Sequence, residues 1–114
     1  AQEVYPDIKI TGPSWNSLCR FGSAWGYAEK VMYACENAVA LDPTNGLARN
    51  SRALARALTG DTPGAIEDFQ FFIEWAKDEA PYAHYVPLRK AWIKAMQAGN
   101  DPFDDETVMR LRYE

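Results

Sequence analysis

The chain has 114 residues, 47% of them hydrophobic and 13% aromatic, enough for one domain with a continuous core and too apolar for a disordered tail. Sixteen acidic against twelve basic residues give a net charge of -4, which repels phosphate backbones and anionic membrane surfaces, so neither nucleic acid nor a membrane is an expected partner. No run of about 18 apolar residues is present to span a bilayer, and no basic segment precedes an apolar one as in an uncut signal peptide.

The first thirteen residues, with Pro6, Gly12 and Pro13 around a short alternating segment at Asp7 to Ile10, are expected to form an extended lead-in or linker. Ser14 can cap a first helix whose apolar residues Trp15, Leu18, Cys19 and Gly22 recur with helical spacing. Gly26 ends it. A second helix, from about Tyr27 to Leu41, gathers Val31, Met32, Cys35, Ala38 and Val39 on one stripe before Asp42-Pro43 stops it. Cys19 and Cys35 are too few for a disulfide scaffold and too far apart for a C-x-x-C site. We read them as small buried thiols, with a bridge between the first two helices as the alternative, and the thiol reading places the chain in a reducing, cytoplasmic compartment.

Displacing the sequence by 34 residues lays Gly26 on Gly60, Val31 on Ala65, Met32 on Ile66, Cys35 on Phe69 and Val39 on Ile73, so turn falls on turn and core on core. In the second copy Gly60 suits the left-handed backbone that ends a helix. Thr62 can cap the next one and Pro63 suits its first turn. Ala65, Ile66, Phe69, Phe72, Ile73 and Ala76 then share a buried face. Lys77 to Pro87 reads as a longer, aromatic-rich connection. After it Leu88, Ala91, Trp92, Ala95 and Met96 recur with helical spacing up to Gly99, and Asp104 can cap a last short helix carrying Val108 and Leu111 inward. The expected fold is all-α: a solenoid of three antiparallel helix pairs, the last irregular and capping, in one helical domain over 14–114 with units at about 14–45, 46–79 and 85–114.

Trp15 and Leu18, Gly26, Ala38 and Pro43 resemble the tetratricopeptide repeat (TPR) pattern of a W-x-x-L start, a turn glycine, a late small residue and a terminating proline. Ser51-Arg52-Ala53 followed by Gly64-Ala65-Ile66-Glu67-Asp68-Phe69 is similar to the subclass that begins N-R-G and ends G-A-I-E-D-F. The tail from Ala91 to Phe103 is similar to the ends of repeat modules in large multidomain bacterial proteins, some carrying propeller or caspase-like domains. The resemblance implies a scaffold that binds proteins, and it departs from the family at Cys19, Gly22 and Phe72. The carboxylate clamp of some members does not carry over, because Asn16, Arg20 and Ser51 stand at its matching positions.

Arg49, Arg52 and Arg56 form one helical stripe, and the acids of the following helix are their expected partners, above all Asp68 for Arg52. Asn16 and Asn50 lie 34 residues apart on the face that lines the inner groove of a repeat stack, where amides can hydrogen-bond an extended peptide. Arg20, Leu47, Leu54, Leu58 and Arg89 surround them as the rest of a candidate peptide-binding groove. Phe71 and Trp75 are either an exposed interface or packed beneath the end of the stack. His84 is the single histidine and no acid cluster has calcium spacing, so no catalytic residue, metal site or cofactor is expected. The leading expectation is a non-enzymatic module that binds a protein or peptide ligand in a concave groove. The alternative is a structural or homo-oligomerising module that docks a neighbouring domain of a larger protein.

Overall fold

A computed structural model describes residues 12–113. The lead-in expected over the first residues lies outside the described ones, although the first helix already begins at Gly12 and takes Pro13 into its opening turn. The described chain is all-helical: α1 (Gly12–Gly22), α2 (Ala28–Leu41), α3 (Gly46–Leu58), α4 (Thr62–Ala76), α5 (Val86–Gln97) and α6 (Asp105–Leu111). A wide π-helical turn over Ser23–Tyr27 joins α1 to α2, and a single turn of 3-10 helix at Ala83–Tyr85 leads into α5.

The boundaries follow from local chemistry. Gly26, Gly60 and Gly99 have φ of 95°, 94° and 84°, a region in which a side chain clashes with its own backbone, and each stands where a helix must reverse or stop. Asn45 caps α3 by accepting from the Leu47 N–H at 2.8 Å, and Asp104 caps α6 by accepting from the Thr107 N–H at 2.8 Å. A hydrogen bond with the Thr107 side chain, and after it the bond from its N–H, hold the Asp104 carboxyl below its ordinary pKa. The cap of α4 is Asp61, not Thr62: its carboxylate accepts from the Gly64 N–H at 3.0 Å, which places Thr62 inside the first turn.

Small residues allow the helices to approach closely. Ala24, Ala34, Ala53, Ala55 and Ala65 are fully buried, and Gly46 lets α3 start directly against the Trp75 ring, where a Cβ would lie 2.4 Å from ring carbons. The main core centres on Phe69 and runs through Leu54, Ile73, Trp92, Met96, Phe103 and Leu111. Phe71 and Trp75 are both half-buried. The Arg49 guanidinium lies 4.3 Å over the Phe71 ring, and Trp75 packs on Tyr82 at 5.5 Å between ring centres.

The arginine stripe of α3 closes on one buried acid. Arg52 donates through Nε and Nη2 to the two oxygens of Asp68 at 2.8 and 3.0 Å, a forked pair. Arg56 Nη1 adds a bond of 3.1 Å and Arg49 Nη1 lies at 3.5 Å from the same carboxylate, while Glu36 of α2 accepts from Arg52 at 2.8 Å. The hydrogen bond to Asp68 is the largest of the causes that raise the Arg52 pKa above its ordinary value.

Two further expectations are corrected. Cys19 and Cys35 are not thiols but a disulfide between α1 and α2, 16 residues apart, with both side chains fully buried. Closing a loop of that length is worth about 3 kcal/mol in the chain-entropy account. Urea unfolding of the chain before and after reduction should therefore show a loss near that size, and alkylation of the unreduced, unfolded chain should label no thiol. In α5 the inward face is Arg89, Trp92, Ile93 and Met96, whereas Leu88 and Ala91 are exposed. The helix is rotated by one residue from the expected stripe because an arginine, not a leucine, fills the interior position.

Candidate functional site

The residues expected to line the groove fall into two groups. Arg20, Asn50, Leu54 and Arg89 come together around a residual space of about 10 Å³, which also touches Trp92 and Leu111. Such a space holds at most about one water. Arg89 is 2% exposed, its Nε donates to Asn50 Oδ1 at 3.1 Å, and its guanidinium lies over Trp92, Tyr85 and Phe72 at 4.5, 5.0 and 5.7 Å. The Asn50 amide oxygen thus joins α3 to α5 instead of facing solvent. Leu54 is buried in the main core and Leu58 packs at its edge. Asn16 and Leu47 are only partly buried and are not part of that space, and Asn16 Oδ1 is a buried oxygen with no hydrogen-bond partner among the described residues.

A second and larger space opens where α6 returns to the turn between α1 and α2. Its volume is about 630 Å³. That is within the range of small-ligand and peptide-anchor pockets. Asp105, Val108, Met109 and Arg112 line it from one face of α6 at helical spacing, Ser23, Ala24 and the residues from Gly26 to Lys30 contribute the opposite wall, and Leu58 and Phe103 its apolar part. The seam is held by Arg112, whose Nε donates to the Ala24 carbonyl at 2.9 Å and whose guanidinium lies 4.3 Å over the Trp25 ring. Trp25 is 49% exposed, and of the lining residues Tyr27 and Met109 are exposed at 56% and 53%. Ser23 is fully buried and its hydroxyl has no hydrogen-bond partner among the described residues.

None of the cleft residues belongs to the expected groove except Leu58. A partial signal was present in the sequence. Val108 and Leu111 mark the inward side of α6, and Met109 and Arg112 each follow one of them, on the neighbouring face. What the spacing of α6 alone does not encode is where that face lands, because the contact from Arg112 to Ala24 spans 88 residues.

Among the described residues no group of three histidine, cysteine, aspartate or glutamate side chains comes together as metal ligands, and no helix is long and apolar enough to cross a membrane. Compared with known protein families, with curated proteins and with solved structures, the chain matches none.

Proposed function

We propose that the chain is a non-enzymatic interaction module, a TPR-like stack of three helix pairs closed by α6, which holds a peptide segment of a protein partner. The observation that carries the binding reading is the 630 Å³ cleft between α6 and the α1–α2 turn, lined by half-exposed Tyr27 and Met109, with half-exposed Trp25 against its Arg112. Large side chains left half exposed around an apolar recess are what partner recognition uses. The repeat reading is supported by the left-handed Gly26 and Gly60, 34 residues apart, and by the internal Arg52–Asp68 pair. In this reading Asn50, Leu54 and Arg89 build the stack, and the peptide lies at the cleft instead of along α3. The cytoplasmic placement rested on free thiols, and a Cys19–Cys35 bridge suits an oxidising compartment instead.

A displayed random-peptide library selected on the immobilised chain tests the binding reading. Selected peptides should lose at least about tenfold in affinity on Met109→Glu, which puts a charge into the apolar part of the cleft at a position exposed enough to leave folding intact. Peptides indifferent to Met109→Glu, or no selected peptide at all, would overturn it.

A second reading has its own observation. Leu18 and Phe21 of α1 and Trp25 of the turn that follows it are exposed at 41%, 42% and 49%, a stripe suited to self-association or to docking a neighbouring domain. Sedimentation at increasing concentration should show a dimer that Phe21→Glu abolishes, if that stripe is the interface. A monomer throughout removes self-association.

A further inference from the structure

Resting on the reading of the cleft as a peptide site, we infer that its basic end, at Arg112, takes a carboxylate of the partner peptide, with an adjoining apolar side chain seated over Val108 and Met109. Arg112 is held before any ligand arrives. Its Nε is committed to the Ala24 carbonyl and its plane rests on Trp25, so the side chain has already lost the freedom that a flexible arginine loses on binding. Its two terminal nitrogens donate to no described residue. A guanidinium fixed through Nε presents them as a pair, the geometry that a carboxylate accepts.

Further features of the cleft bear on the same reading. The Ser23 hydroxyl, buried and without a partner among the described residues, belongs to the residue next to the carbonyl that anchors Arg112. A buried hydroxyl in that state is costly, and an arriving acceptor relieves it. Lys30 lines the cleft as a second cation and makes no ion pair among the described residues. The acids of the cleft do not cancel this end. Asp105 is seven residues before Arg112, about 10 Å away along the helix, and makes no ion pair with it, while Glu29 stands beside Lys30 on the other wall. Charge therefore changes sign along the α6 face, with Val108 and Met109 between the two ends. A peptide in which an acidic group adjoins an apolar residue matches that order in one direction only.

A side-chain carboxylate and a free C-terminus share this chemistry, so the library is displayed in two formats, with free C-termini and with the random segment internal. Enriched peptides are synthesised, and their dissociation constants are measured by fluorescence anisotropy. Selected sequences should carry the acidic group beside an apolar residue. Converting that carboxylate to an amide should weaken binding at least about tenfold. Loss on amidating the terminus identifies the terminus as the source, and loss on Glu→Gln or Asp→Asn within the peptide identifies a side chain. On Arg112→Gln the acid and amide forms should bind alike, which ties the effect to that residue. The amide comparison uses the unaltered protein, so a folding defect in Arg112→Gln does not protect the inference. Peptides that need Met109 but carry no carboxylate, or whose amide forms bind equally well, overturn the inference and leave the cleft reading standing. Peptides indifferent to Met109→Glu, or the selection of none, overturn both.

Discussion

Replacing Asp68 with alanine should cost about 3 to 5 kcal/mol, read as a fall in the urea midpoint with little change in slope. The carboxylate is 0% exposed and receives Arg52, Arg56 and Arg49 at 2.8, 3.1 and 3.5 Å, so its loss leaves three guanidinium groups on α3 facing one another without the buried charge that all three share. Solvent cannot easily take its place, because the Arg52 and Arg56 side chains are themselves only 12% and 19% exposed. Asp68→Asn should fall between, since an amide oxygen keeps one acceptor but no charge. Glu36 provides the control. It bonds Arg52 at the same 2.8 Å, yet it is 52% exposed, and Glu36→Gln should cost no more than about 1 kcal/mol. Equal effects at Asp68 and Glu36 would mean that burial does not set the strength of this network.

The Arg52–Asp68 pair was legible in the sequence because both partners sit at fixed places in a repeating helix pair, and so were the three glycines that end helices. Local rules carry such features: one side chain per position, one turn per glycine. The disulfide was not legible to the same degree. Two cysteines 16 residues apart on neighbouring helices meet or miss according to the crossing of those helices, and helical spacing does not report it. Arg89 misled the reading of α5 for a different reason. Pattern arguments class arginine as a surface residue, but its planar head can stack among Trp92, Tyr85 and Phe72 while Nε bonds Asn50, and that arrangement turns an intended groove residue into a core strut. The cleft depends on the return of α6 to the first turn, a contact across the whole domain, so its residues look like ordinary surface until the ends of the chain are brought together.

The same long-range closure makes Phe69 the residue whose truncation should be felt furthest. Its ring is fully buried, 5.5 Å from the centre of Trp92 in α5 and 6.4 Å from that of Phe103 just before α6, and it shares the main core with Ala24 of the first turn and Leu111 of α6. Phe69→Ala removes the ring and leaves a cavity between elements that α3 and α4 alone cannot close, at a cost of about 3 to 5 kcal/mol. The loss should not stay local. Because α6 reaches the α1–α2 turn through that core and through the Arg112 contact with Ala24, a loosened core should free α6 before α3 and α4 separate. Hydrogen exchange of Phe69→Ala should therefore show the largest loss of protection in the amides of α6, with those at the centre of α3 least affected. Uniform loss through every helix would mean that the domain opens as one unit and that α6 is not a separately docked closure. The two outcomes differ for binding as well, since only a separately docked α6 lets the cleft open and close on a folded stack.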